Sequence, residues 1–396
     1  MPTTPLFPAR RLRNFTESVI REQTRLANLH GSVNLAQGFP DYPCDEVIKD
    51  LARRAIDADH NQYSVTWGQP ALREAIARKA GTYNGIAADP HKHVTVTCGA
   101  TEAMLCAFLA HLDPGKEVIL FQPFYENYHP DAYLCGAKPV YVTLHEPDWS
   151  IDPEELARAF NAKTAAIVIT TPHNPTGKVF TRQELALIAG HCQKWGALVF
   201  SDEIYEHILY DDAVHASPAS VPGLEDLTVT IGSASKTYGV TGWRVGWAIA
   251  HERLTNGIRQ VHDFMTVCAA SPLQEAVRGA VGLGPEFYRG VTESYRKKRD
   301  FLLAGLKDAG FPCHVPKGAY YIMSDVTDLI RASPRFGNDA ELARYLVEEV
   351  KVAAVPGGSF YKGRKKRRDK LRFCFCKKEE TLALAVERLK RFRGSV

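Results

Sequence analysis

The chain is 396 residues long, 45% hydrophobic and 24% charged, with a formal net charge of +4, the proportions of a globular protein long enough for two domains. So small a charge bias does not imply a nucleic-acid partner, and no uninterrupted apolar run approaches the roughly 18 residues of a membrane span. Nine cysteines, at 44, 98, 106, 135, 192, 268, 313, 374 and 376, are scattered without a C-x-x-C pair or a zinc spacing, so reduced thiols in a cytoplasmic protein and no metal site are expected.

Pro8-Ala-Arg-Arg-Leu-Arg13 is basic. Glu17 and Glu22 follow within the amphipathic segment Phe15-Thr-Glu-Ser-Val-Ile-Arg-Glu22, and no apolar h-region accompanies it, so an N-terminal arm and helix are expected rather than a targeting peptide. Val33-Asn-Leu-Ala-Gln-Gly-Phe-Pro-Asp41 reads as a short strand entering a turn, with Gly38 allowing close backbone approach. In Asn61-Gln-Tyr-Ser-Val-Thr-Trp-Gly-Gln-Pro-Ala-Leu-Arg73, Pro70 starts a helix over 71–80. Val94-Thr-Val-Thr-Cys-Gly-Ala-Thr-Glu102 predicts a strand, a turn at Gly99 and a helix with Thr101 as its N-cap. Such a terminus binds anions through free N–H groups and the helix dipole, which makes Ala100 and Thr101 candidate phosphate contacts.

A strand over 117–121 leads into Gln122-Pro-Phe-Tyr-Glu-Asn-Tyr128. Strand-like 138–143, helical 153–160 and strand-like 165–170 then continue an alternation that predicts a parallel sheet flanked by helices, with ligands at the carboxyl ends of its strands. Three groups fall at such ends: Thr171-Pro-His-Asn-Pro-Thr-Gly177, Ser201-Asp-Glu-Ile-Tyr205, and Ile231-Gly-Ser-Ala-Ser-Lys-Thr237 after a strand over 227–231. In the third, small residues admit a bound group, Ser233 and Ser235 offer hydroxyls, and Arg244 supplies a forked cation suited to a phosphate dianion. Lys236 among them suggests imine chemistry. Neither G-x-x-x-x-G-K-S/T nor a strand followed by G-x-G-x-x-G occurs, which argues against the common nucleotide loops.

Helices are predicted over 254–265 and 272–281 and, longer and charged, over 288–310. Strands are predicted over 318–323 and 352–355, and a closing helix over 379–391. Residues 362–370 carry seven basic side chains and one acidic, read as a solvated loop. Leu371-Arg-Phe-Cys-Phe-Cys376 alternates like a strand, so Arg372 sits in a partly apolar setting and a carboxylate should face it.

Asn-Pro-x-Gly from Asn174, Asp-x-x-Tyr from Asp202, Ser-x-Ser-Lys ending at Lys236 and Arg-x-Gly from Arg244, in that order, resemble the signature of the class I and II pyridoxal-phosphate aminotransferases of fold type I. The resemblance runs from Ala36 to Cys376 and is strongest toward the kynurenine, glutamine and aromatic branch. It implies an α/β fold: a large domain over 46–285 with a mostly parallel sheet, and a smaller one over 286–396 joined by part of residues 1–45. It implies pyridoxal 5′-phosphate carried covalently on Lys236, which also moves the proton at the substrate Cα. Asp202 would pair with the ring nitrogen, Asn174 and Tyr205 with the phenolic oxygen. Tyr125 would stack on the ring, and Ala100, Thr101, Ser233, Ser235 and Arg244 would hold the phosphate. Gly38, Asn174 and Arg372 would receive the substrate carboxylate.

Tyr63 would reach the cofactor phosphate of a second subunit, which makes the protein a homodimer with shared active sites. A β-lyase acting on cysteine conjugates, or a related lyase, is the alternative activity. A second cation for a distal carboxylate is missing from Met265-Thr-Val-Cys-Ala-Ala-Ser-Pro272, where the resemblance directs attention, and Ala269 and Ala270 leave room. A neutral, aromatic or long apolar donor is therefore expected, with Arg259, His262 and the basic loop as the other cations to consider.

Overall fold

The computed structural model describes residues 9–12, 15–363 and 367–393. Pro8 and Arg13 of the basic N-terminal stretch, and Arg364, Lys365 and Lys366 of the basic run, lie outside the described residues.

The centre is an eight-stranded sheet built from β2 (Val94–Thr97), β3 (Glu117–Gln122), β4 (Lys138–His145), β5 (Ser150–Ile151), β6 (Thr164–Thr170), β7 (Leu198–Asp202), β8 (Thr228–Ser233) and β9 (Gly246–Ala250). Its order is β2-β9-β8-β7-β6-β3-β4-β5. The five inner strands from β8 to β4 run parallel, whereas β9 is antiparallel to both its neighbours and β5 closes the far edge antiparallel. The predicted parallel sheet is thus its core, with antiparallel margins. β6, β7 and β8 are almost wholly buried, as parallel strands covered on both faces must be. Alternate residues of β7 enter opposite cores: Val199 packs with Ile188 and Cys192, while Phe200 packs with Phe108 and Ile231.

Helices α1 (Val19–His30), α2 (Glu46–Asp57), α3 (Pro70–Lys79), α4 (Ala100–His111), α5 (Tyr128–Leu134), α6 (Pro153–Ala159) and α7 (Arg182–Trp195) precede the single-turn α8 (Ala234–Thr237). α9 (Glu252–Thr266), α10 (Ser271–Val281), α11 (Pro285–Asp308), α12 (Thr327–Ala332), α13 (Asp339–Tyr345) and α14 (Glu379–Arg393) follow. α1 begins later than the amphipathic pattern suggests, because the Ser18 side chain accepts from the Arg21 N–H and caps the helix there. Thr101 is not an N-cap: Gly99 holds that position at φ 84°, a left-handed conformation that favours glycine, and Thr101 lies one residue inside α4. The strand before Lys236 runs past Gly232, since Gly232 and Ser233 still pair with Trp247 and Gly246 of β9.

A second group of elements gathers residues from both ends of the chain. β1 (Val33–Asn34) pairs in parallel with β11 (Val352–Ala353), and β10 (Tyr321–Asp325), β13 (Lys370–Cys374) and β12 (Val355–Pro356) form a three-stranded antiparallel sheet. Leu302 and Leu306 of α11 and Leu382, Val386 and Leu389 of α14 share one core with Phe311 and Phe373. The Cys374 N–H donates to the Leu35 carbonyl at 2.8 Å, so β13 is held against the segment that carries Gly38.

One close approach aligns the carboxyl end of the large sheet. A Cβ on Gly246 would lie 2.5 Å from the Gly99 carbonyl carbon and 2.6 Å from the Ala100 nitrogen. Only a residue without a side chain lets β9 pass so near the start of α4, and this brings α4, Ser233 and α8 to one place.

Candidate active site

Twelve of the thirteen site residues expected from the sequence line one cavity of about 190 Å³: Gly38, Ala100, Thr101, Tyr125, Asn174, Asp202, Tyr205, Ser233, Ser235, Lys236, Arg244 and Arg372. The thirteenth, Tyr63, lies elsewhere and is 85% exposed. Topology explains the convergence, because Thr170, Asp202 and Ser233 end three adjacent parallel strands, the position where such sheets present ligand-binding groups.

At one end stands an anion-binding cup. α4 begins without a side-chain cap, leaving its first N–H groups to a ligand. The Ser233 hydroxyl accepts from the Ser235 N–H at 3.0 Å and donates to the Ser235 hydroxyl at 2.8 Å. Arg244, at φ 56°, donates to the Thr241 carbonyl at 3.0 Å, and a side chain at Gly99 would run into its guanidinium. Helix N-terminus, hydroxyls and forked cation form a donor set for a dianion.

Below the cup, Asp202 is buried. Its carboxylate accepts from the Tyr128 hydroxyl at 2.6 Å and from the Ile204 N–H at 3.4 Å, and among the described residues no cation pairs with it. Tyr128 also bonds Thr170 at 2.8 Å. β7 continues into Glu203, which accepts from the Ser201 hydroxyl at 2.8 Å and the Ser217 hydroxyl at 2.7 Å and contacts His215 at 2.8 Å. This network fixes the backbone that aims Asp202.

Lys236 is enclosed by protein but open to the cavity, and its amine donates to the Gly38 carbonyl at 3.2 Å. Desolvation lowers its pKa to about 8, opposed by Cys376 and Asp202 and helped by Arg244 and Arg372. Tyr205 shares a hydroxyl–hydroxyl bond with Tyr321 at 3.0 Å.

Arg372 is fully buried. It donates to the Asn174 side-chain oxygen at 2.8 Å and to the Ala36 carbonyl at 2.6 Å, and it lies 4.2 Å from the Tyr321 ring centroid and 5.0 Å from that of Phe360. Its Nε has no hydrogen-bond partner among the described residues. Among the described residues no carboxylate faces it; neutral oxygens and aromatic faces hold it. A buried guanidinium with an idle donor can receive an anion from outside.

Sequence reasoning missed Tyr128, Tyr321, Arg21, Ser18, Glu126 and Asp131, all of which line the cavity. Arg259 and His262 are committed elsewhere. Arg259 donates to the carbonyls of His91 and Val94 at 2.8 and 2.9 Å, and His262 lies between Glu102 and the Thr66 carbonyl, each at 2.8 Å.

Burial raises the Asp202 pKa to about 6 from 3.8, with the Tyr128 hydrogen bond acting the other way. The folded form therefore holds this proton more tightly than the unfolded chain. Its contribution to stability is present below pH 3.8 and lost as pH rises through 6. Asp202→Asn keeps an oxygen that accepts from Tyr128. At pH 8, without added ligand, it should resist urea better than the parent by on the order of 1–3 kcal/mol, with the gap closing toward pH 4. A less stable variant at pH 8 would contradict this reading.

The family model for aminotransferase class I and II matches residues 31–389. Human kynurenine–oxoglutarate transaminase 1 is 33% identical over 97% of this chain and 98% of its own length. The structure of N-succinyldiaminopimelate aminotransferase from Mycobacterium tuberculosis superposes with a TM-score of 0.93 at 36% identity, covering 97% of this chain and 100% of that one. YbdL from Escherichia coli, described as having a methionine aminotransferase function, gives 0.92 at 33% identity, covering 98% and 100%. A fold, a cavity and a full-length likeness agree: this chain belongs to the class I and II aminotransferases, enzymes that move an amino group between amino acids and 2-oxo acids.

Proposed function

We propose that this aminotransferase works with pyridoxal 5′-phosphate on Lys236 and takes a neutral amino acid as donor. The observation that carries the reading is one cavity that holds an enclosed amine, a buried carboxylate and a buried guanidinium, neither of the last two ion-paired among the described residues. The donor set fits the cofactor group by group: the cup matches a phosphate, Asp202 a protonated ring nitrogen and Lys236 a carbonyl carbon. When bound, the cofactor supplies an electron sink for charge developing at the substrate Cα.

The chain's own residues do the rest. Ala100 and Thr101 through their N–H groups, with Ser233, Ser235 and Arg244, hold the phosphate. Asp202 would gain the cation its burial calls for, and Tyr125 would lie against the ring. The Asn174 side-chain oxygen is committed to Arg372, leaving its NH₂ to donate to the phenolic oxygen alongside the Tyr205 hydroxyl. Arg372 takes the substrate carboxylate in a forked pair, with Gly38 and Asn174 beside it. Lys236, with its pKa near 8, is suited to accept the Cα proton and return it.

The units follow the same roles: residues 46–285 bind the cofactor, while residues 286–396 with part of 1–45 supply Arg372 and Gly38. Nine free thiols agree with a cytoplasmic setting, and no helix among the described residues is long and apolar enough to cross a membrane. The neutral donor rests on the charge of the cavity mouth, where Arg21 and Glu126 offset one another. A homodimer with shared sites is supported by an exposed apolar group around Tyr63. Phe264 is 92% exposed, and Val65, Trp67, Met265 and Val267 are also exposed; such a surface is suited to a second copy.

Borohydride reduction of the protein reconstituted with pyridoxal 5′-phosphate, followed by peptide mapping, should label Lys236. A label on another lysine would sink the assignment. Mixing Lys236→Ala chains with Tyr63→Phe chains should restore part of the activity through hybrid dimers, because one of the two sites then keeps both residues. Verified heterodimers without recovery, or a monomeric enzyme, would count against shared sites.

A further inference from the structure

The cavity mouth carries a charged pair that neither the chemistry at Cα nor cofactor binding requires. Arg21, in the first turn of α1, and Glu126, just before α5, face the same cavity as Arg372. The Ser18 hydroxyl that caps α1 donates to Oε1 of Glu126, which docks Glu126 at the start of the helix carrying Arg21. Arg21 and Glu126 do not form an ion pair with each other, and the Arg21 guanidinium has no hydrogen-bond partner among the described residues. One Glu126 oxygen is likewise left over. Tyr125, next to Glu126 in the chain, lines the same cavity as Arg21 and Arg372.

We infer that Arg21 and Glu126 form a two-sided clamp for the distal end of the substrate side chain, selecting a neutral head that both accepts and donates hydrogen bonds, such as a carboxamide. The Arg21 guanidinium donates to the distal carbonyl oxygen, and the free Glu126 oxygen accepts from the distal NH₂. A purely apolar side chain leaves both groups to water. A distal carboxylate satisfies Arg21 but is repelled by Glu126, so the pair discriminates by what it rejects as well as by what it binds. The clamp deepens the neutral-donor reading above and rests on it.

The test compares kcat/KM for glutamine, methionine, phenylalanine and glutamate against one 2-oxo acid, in the holoenzyme and in Arg21→Met, Arg21→Lys and Glu126→Gln. Arg21→Met should lower the glutamine value about tenfold or more, mainly through KM, and leave methionine within about twofold, as expected for loss of a charge-assisted hydrogen bond remote from the reacting atoms. Arg21→Lys should recover part of the loss. Glu126→Gln should raise the glutamate value, because the like charge is gone. Equal losses on glutamine and methionine, an unchanged glutamine value in Arg21→Met, or a parent enzyme that turns over methionine but not glutamine would overturn the clamp. A parent enzyme active on glutamate and on none of the neutral donors would overturn the neutral-donor reading itself, an outcome visible before any variant is made.

Discussion

Arg372 is the constraint around which the rest of the molecule is arranged. Removing a guanidinium from water without an anion costs several kcal/mol, and the fold meets that cost only in part. The Ala36 carbonyl, the Asn174 amide oxygen and the faces of Tyr321 and Phe360 hold the charge, and each comes from a different part of the chain. To supply them, the segment after β1, the turn after β6, strand β10 and the turn before β13 must meet at one point. A well-packed apolar side chain would suit the interior better; under the function proposed above, the cost is stored binding energy that a substrate carboxylate would release.

The same logic runs through the rest of the cavity. Burial pushes Asp202 up to about 6 and Lys236 down to about 8, so both ionise with more difficulty than they would in water. Neither shift is relieved by a protein partner of opposite charge in direct contact. Groups held in this condition gain most when a ligand of complementary charge arrives, which is why perturbed titration marks functional sites. The Arg21 and Glu126 pair at the mouth contrasts with these: it is wetter and internally balanced, suited to discrimination rather than to chemistry.

Much of this was legible in the sequence where local chemistry is tied to local structure. The βα alternation, the glycine and serines around Lys236 and the strand ends at Asn174 and Asp202 all carry their meaning within a few residues. What stayed hidden depends on long-range placement. Tyr128 and Tyr321 lie in stretches that read as ordinary aromatic segments, and only the folded chain shows their hydroxyls meeting Asp202 and Tyr205. The protein partners of Arg372 come from residues 36 and 174, which no local pattern ties to it. Thr101 looked like the helix cap because threonine favours that role, yet the backbone reverses one step earlier at Gly99. Arg21 sits in an amphipathic helix whose exposed face gave no sign that it borders the cavity.

The central claim is that Arg372 is a prepaid carboxylate receptor, and the binding of an unreactive monocarboxylate tests it most directly. The dissociation constant of 3-phenylpropionate for the holoenzyme can be measured by titration in the parent, in Arg372→Lys and in Arg372→Leu. The account predicts tight binding in the parent, weakening by about tenfold or more in Arg372→Lys, where the forked geometry is lost, and no measurable binding in Arg372→Leu. Parent-like affinity in the leucine variant would contradict it.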